Sequence, residues 1–267
     1  MNIFAEALNA DREGKNFAIA TIIKSEGSAP RHENSKMIIF EDGSIKGTVG
    51  GGILEKKVIM ESLECIKNGR SKVLKFVLDS KKENSLPMIC GGEVEVFIEV
   101  FKKRAKLILI GGGHVNFAIY NFAKHLHFDI VIIDDREEWA NKERFPEAEV
   151  IVDNISKALE GYSTDPNTFI VIATRGHLFD REALKIAINK TAKYIGMIGS
   201  RKKVKETLEA LKKEGIEQEK LNRIYSPIGL DLGAETPEEI AISVLAEILK
   251  VKNNATGNSM KLEGEAE

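Results

Sequence analysis

Gly111-Gly112-Gly113-His114 stands between an apolar run, Leu107 to Ile110, and a stretch of helical spacing. A glycine loop between strand and helix can hold a phosphate: the first glycine permits the tight turn, and Gly113 lets backbone approach the anion. The helix start adds free N–H groups and a favourable dipole. Asp134 lies 21 residues beyond Gly113, close to the roughly 20 expected of a carboxylate that accepts a ribose 2′-hydroxyl. Asn116 replaces the third glycine of the usual fingerprint. His114 can contact a ligand or serve the helix start. The alternative for the glycines is close packing of helix on strand.

Further loops follow the runs Phe169 to Ala173 and Tyr194 to Ile198. The first is Thr174-Arg175-Gly176-His177 with Asp180, and the second is Gly199-Ser200-Arg201-Lys202-Lys203. Arg175 and Arg201 suit phosphate or carboxylate, His177 suits acid, base or ligand contact, and Asp180 reads as the N-cap of the next helix. The segment from Ser226 to Glu235 is a second candidate anion cradle. Nearer the N-terminus, Gly27-Ser28-Ala29-Pro30-Arg31 and Gly47-Thr48-Val49-Gly50-Gly51-Gly52 can form an oxyanion pocket from backbone amides and Arg31. Cys90, before Gly91-Gly92, can ligate a soft metal or carry sulfur. Cys65 reads as a buried small hydrophobe.

These loops need elements to position them. Ile3 to Glu13 places Ile3, Phe4, Ala7, Leu8 and Ala10 at helical spacing. Strand runs follow at 17–23, 37–40 and 45–49, the last two flanking the hairpin signal Asp42-Gly43, with a helix from 54 to 67 and strands at 73–78 and 94–100. Beyond a polar hinge at Lys102-Lys103-Arg104, buried-type strands at 107–110, 130–133, 169–173 and 194–198 each precede a helical stretch. That pattern predicts a parallel sheet covered on both faces. Thr236-Pro237-Glu238-Glu239 opens a last helix with a capping box. The expected fold class is α/β, with a small N-terminal α/β domain over 1–101 and a Rossmann-type doubly wound parallel sheet over 102–252. A disordered tail is expected over 253–267.

Net charge is −2, from Lys+Arg 39 against Asp+Glu 41, which gives no bulk argument for nucleic acid or an anionic membrane. No apolar run approaches a membrane span, and the N-terminus has acidic residues where a signal peptide is basic, so a cytoplasmic protein is expected. Two cysteines are too few for a disulfide framework. Residue chemistry alone stops at a ligand-binding α/β protein, with an NAD(P)-dependent oxidoreductase using Asp134 and His177 and a nucleotide-sensing regulatory domain among its open readings.

Six motifs together resemble the XdhC/CoxI family of xanthine dehydrogenase accessory factors. They are Gly-Ser-Ala-Pro-Arg (27–31), Gly-Thr-Val-Gly-Gly-Gly-Ile-Leu-Glu (47–55), Met-Ile-Cys-Gly-Gly-Glu-Val-Glu-Val-Phe (88–97), Gly-Gly-Gly-His-Val (111–115), Tyr-Ile-Gly-Met-Ile-Gly-Ser-Arg (194–201) and the stretch from Ser226 to Ala241. The resemblance implies a maturation factor with no turnover of its own. It would bind the molybdenum cofactor, as molybdopterin or its dinucleotide form, and protect it while a cysteine desulfurase exchanges oxo for sulfur. It would then deliver the cofactor to an apo molybdenum hydroxylase of the xanthine or CO dehydrogenase type. On this view Cys90 lies toward the molybdenum end, as a candidate metal ligand, and Gly111 to His114 hold the phosphate. A homo-oligomer is expected if a partner completes the cleft.

Overall fold

A computed structural model of the chain describes residues 2–27, 33–78 and 92–261. The chain divides into two compact units, Met1–Lys103 and Arg104–Glu267.

The first unit runs α1 (Ile3–Arg12), β1 (Phe17–Gly27), β2 (Lys36–Phe40), β3 (Ile45–Gly47), α2 (Gly52–Asn68), β4 (Lys72–Leu78) and β5 (Gly92–Phe101). Its five strands form a sheet in the order β3-β2-β1-β5-β4, with every neighbouring pair antiparallel. Period-two alternation decides the faces. Val94, Val96 and Ile98 of β5 point inward with Ala18, Ala20, Ile22, Met37 and Ile39, and Leu54, Val58, Cys65 and Ile66 of α2 close that core. Burial pushes the Cys65 thiol up from its ordinary value, as expected for a cysteine used as packing. On the other face, α1 covers Phe17, Ile19 and Ile38 through Ala10. The expected apolar face of α1 is only partly used: Phe4 and Leu8 stay 68% and 50% exposed.

The second unit comprises β6 (Ala105–Ile110), α3 (His114–Ala123), β7 (Phe128–Asp134), β8 (Glu149–Val152), α4 (Ile155–Gly161), β9 (Thr168–Ile172), α5 (His177–Ala187), β10 (Tyr194–Met197), α6 (Arg201–Lys213), α7 (Gln218–Leu221), β11 (Ile224–Tyr225) and α8 (Pro237–Asn253). All six strands are parallel, in the order β11-β10-β9-β6-β7-β8. Counted within this unit, that is 6-5-4-1-2-3, the Rossmann order, and its direction reverses between β6 and β9. One face buries Leu107, Leu109, Ile130, Ile132, Phe169 and Val171 under α3 and α8. The opposite face buries Ile108, Ile110, Val131, Ile133, Ile170 and Ile172 under α4, α5 and α6.

Sequence patterning predicts a helix after every strand, but β7 is followed by turns over residues 135–148. Asp134 and Arg136 join through their side chains and fold the chain back at once, and Pro146 bars a regular helix later. Ala140, Phe145 and Ala148 plug the core there instead. The last helix starts as expected: Thr236 accepts from the Glu239 N–H, and Glu239 accepts from the Thr236 N–H. Among the described residues, no helix is long and apolar enough to cross a membrane.

Candidate functional site

The glycine loop lies at the reversal of strand order, where the chain leaves β6 between the ends of β9 and β7. The three glycines do different work. Gly111 has φ +101°, and a Cβ there would lie 2.3 Å from the Ala173 carbonyl oxygen. A Cβ on Gly112 would lie 2.4 Å from the Trp139 carbonyl oxygen, whereas one on Gly113 would meet nothing within 4 Å. Two glycines therefore serve packing, and only Gly113 borders open space. Asn116 explains the missing third glycine: its buried Nδ2 donates to the carbonyls of Ile110 at 2.9 Å and Gly111 at 2.8 Å, tying the helix start to the strand end. Its Oδ1 is buried and has no hydrogen-bond partner among the described residues.

Gly113 is the N-cap of α3 and Gly176 the N-cap of α5, and neither start has a side-chain cap. The first-turn amides of both helices are thus open donors at the positive ends of helix dipoles. By contrast, Ser200 caps α6 by accepting from the Lys203 N–H, and Asn154 caps α4. Asp180 is not the N-cap of α5. It sits within the helix, and its carboxylate reaches back to accept from the Thr174 N–H at 2.9 Å and hydroxyl at 2.7 Å. Burial raises its pKa, against the pull of the Thr174 donors.

The charged residues are less available than their spacing suggests. Asp134 is 1% exposed and holds the loops together. Its Oδ2 accepts from the Gly112 N–H at 2.7 Å and Arg136 Nη2 at 2.9 Å, and its Oδ1 accepts from Arg136 Nε at 2.9 Å and the Arg136 N–H at 3.1 Å. Burial alone would push this carboxyl up, but the guanidinium and the Gly112 amide outweigh it and hold the pKa below the ordinary value. The expectation that Asp134 accepts a ribose hydroxyl therefore gives way to an internal role, because all its bonding directions in the structure serve the loop. Arg175 is likewise committed: it pairs in bidentate fashion with Asp135 at 3.1 and 2.9 Å and lies over the Phe179 ring. Since the loops after β9 and β7 flank the glycine loop, this pair links the two walls beside Gly113. Arg201 has no carboxylate partner among the described residues. His114 and His177 are exposed at the first positions of α3 and α5, and the His114 ring meets Trp139 edge-on at 5.3 Å. Trp139 also carries Arg136 and Arg144 over its ring, at 5.1 and 4.9 Å.

In the first unit, Gly50, Gly51 and Gly52 all have positive φ, which explains three consecutive glycines. The loop they form is not an open oxyanion pocket. Glu55 Oε2 accepts from the Thr48 hydroxyl and from the N–H groups of Val49 and Gly51, both at 3.2 Å, while Gly50 N–H donates to Thr48 Oγ1. The nest already holds an anion, its own glutamate. Glu55→Ala is expected to remove about 1.5–3 kcal/mol from the stability of this unit, read as a lower urea midpoint at unchanged slope. Arg31 and Cys90 lie outside the described residues. Among the described residues, no group of three or more His, Cys, Asp or Glu is placed to hold a metal.

Sequence reasoning missed Glu55, Arg136 and Trp139. Glu55 carries a signal, an acidic residue in the first turn after a glycine run. Arg136 and Trp139 act through tertiary neighbours and carry none.

A parallel sheet of Rossmann order, with helix starts lacking side-chain caps at its crevice, and a separate antiparallel α/β unit define a two-unit α/β protein. The particular family is shown by comparison with known proteins. The XdhC Rossmann domain matches residues 107–248, and the XdhC and CoxI family matches residues 10–77. The chain belongs to the XdhC and CoxI family. It is 42% identical over 262 residues to Escherichia coli (strain K12) uncharacterized protein YqeB, covering 97% of this chain and 48% of that protein. The chain thus spans about half the length of that relative. It is 23% identical over 283 residues to the E. coli (strain K12) molybdenum cofactor insertion chaperone PaoD, covering 92% of this chain and 86% of that protein. The crystal structure of a xanthine dehydrogenase from Bacillus halodurans shares the fold, with TM-score 0.52 at 22% identity over 97% of this chain and 98% of that one.

Proposed function

We propose that this protein is a maturation factor that binds the molybdenum cofactor as cargo and passes it to a xanthine or CO dehydrogenase-type hydroxylase. The observation that carries the reading is membership of the XdhC and CoxI family, with a molybdenum cofactor insertion chaperone related over most of both chains. The chemistry of the crevice fits the phosphate end of such a cargo. Gly113 borders open space, and among the described residues the first turns of α3 and α5 have no side-chain cap, which leaves their N–H groups as donors at the carboxyl edge of the sheet. Arg175 can add a guanidinium only by leaving Asp135. In the finer form of the reading, the protein shelters the cofactor while a cysteine desulfurase supplies sulfur, and Cys90 and Arg31 lie toward the molybdenum end.

An NAD(P)-dependent oxidoreductase would use the same strand order, but it gains nothing from Asp134, whose oxygens are already taken. Calorimetry on the full chain separates the two. Molybdopterin or its dinucleotide form is expected to bind tightly and NAD and NADP weakly or not at all. Tight nicotinamide binding without molybdopterin binding would sink the proposal. Mixing loaded protein with apo-hydroxylase tests delivery, with recovery of hydroxylase activity expected.

A further inference from the structure

The last helix, α8, is more apolar than its place on one side of a sheet requires. Ala241, Val244, Leu245 and Ile248 face the core. Ile242, Ala246 and Leu249 form a second stripe beside that face, at steps of four and three residues, which is the spacing of a helix–helix seam. Ile242 is 51% exposed, and Ala246 and Leu249 are half-buried. α3 covers the same face of the sheet and leaves Phe122 exposed. Glu239 and Asn253 continue the steps at either end, so the apolar stripe closes in polar residues.

Charge is segregated along the same helix. Glu235 and Glu238 flank its N-cap, Thr236, and Lys250 and Lys252 lie in its last turn. Glu235, Glu238 and Lys250 form no ion pair among the described residues. The Lys252 ammonium lies over the Phe128 ring at 4.8 Å. With 17 residues α8 is about 25 Å long, so its acidic and basic ends cannot reach each other along one helix. We propose that this stripe is an interface between two copies of this chain, with the two α8 helices antiparallel about a two-fold axis. The axis brings the acidic start of each helix to the basic end of the other, and both contacts form at once. Ile242 and Leu249 leave water against the partner copy, and the small Ala246 between them lets the helix axes approach to about 8–10 Å. The positive start of each helix dipole also meets the negative end of the other. A parallel pair would set like charges together at each end. A lipid surface would attract the lysines but repel Glu235 and Glu238. A second copy satisfies the apolar stripe and both charged ends together. The proposal does not rest on the cofactor reading of the glycine loop.

Sedimentation velocity on the full chain is the test, and twice the chain mass is expected. Ile242 is exposed in the single chain, so Ile242→Asp should keep the far-UV circular dichroism of the parent. It should raise the dimer dissociation constant about a hundredfold or more, because each copy would bury an unpaired carboxylate in the seam. A charge exchange tests the antiparallel arrangement. Glu235→Lys with Glu238→Lys makes both ends of the seam basic, and Lys250→Glu with Lys252→Glu makes both ends acidic. Each double variant alone should dissociate about tenfold more readily than the parent, and an equimolar mixture of the two should recover the dimer. Recovery on mixing also shows that neither variant has lost its fold. The proposal is overturned if the parent stays monomeric, if Ile242→Asp dimerises as the parent does, or if the mixture does not recover. Failure of molybdopterin to bind a dimer that behaves in this way would count against the proposed function alone.

Discussion

Replacing Asp134 by alanine is expected to destabilise the second unit by about 3–5 kcal/mol, because it leaves a guanidinium and a buried amide without their shared acceptor. The residue is 1% exposed, and the Gly112 N–H that it holds is itself buried. In a domain of this size the loss corresponds to a melting temperature lower by roughly 10 °C. Arg136→Ala removes the other half of the same contact, so the double variant should lose far less than the sum of the single ones. pH gives an independent check. The folded-state pKa of Asp134 lies below its ordinary value of 3.8, so its contribution is fully present above that value and fades as pH falls through the depressed one. Thermal unfolding between pH 7 and pH 2 should show the parent losing this increment at the acid end. Asp134→Ala should lack that part of the acid sensitivity, and a variant that melts with the parent at neutral pH would refute the assignment.

Much of this fold is legible in the residues. The antiparallel unit declares itself through alternation in 94–100 and the Asp42-Gly43 turn, and the parallel unit through four apolar β-branched runs. What escapes is short or tertiary. Glu149–Val152 and Ile224–Tyr225 are edge strands of four and two residues, too brief for periodicity to register. The turns over 135–148 replace a helix because one ion pair bends the chain, and no propensity reports that.

The candidate site shows the same division. Spacing locates the glycine loop, the start of α3 and the carboxylate ending β7, since each follows from strand, loop and helix order, but it sets the start of α5 at Asp180 instead of Gly176. Spacing cannot say which polar groups are already satisfied. Asp134, Arg175 and the amides of Gly51 and Val49 each have the type and position of ligand contacts, and each is engaged within the protein. Arg201 is typed no differently from Arg175, and only the absence of a carboxylate partner among the described residues sets it apart. For Asp134 and Arg175 the partners include residues 22 and 40 positions away, information that a local reading does not contain.

The glycine loop offers the sharpest separation of packing from binding. Gly111→Ala should be the most damaging of the three substitutions, because φ +101° strains any L side chain and the new Cβ would stand 2.3 Å from the Ala173 carbonyl oxygen. Both obstacles are backbone, so relief requires β6 and β9 to move apart at their ends. A loss of several kcal/mol or failure to fold is expected. Gly112→Ala meets one such obstacle, the Trp139 carbonyl oxygen at 2.4 Å, and should be intermediate. Gly113→Ala meets none, and its φ of −68° suits alanine, so it should lose no more than about 1 kcal/mol through weaker N-capping. If an anion does sit at the start of α3, that same methyl group occupies its approach, and Gly113→Ala should weaken molybdopterin binding at least tenfold while leaving the melting temperature nearly unchanged. Stability and affinity should thus vary in opposite order along three adjacent residues. Equal melting temperatures for the Gly111 and Gly113 variants would remove the packing argument, and undiminished cofactor binding by Gly113→Ala would remove the phosphate from this loop.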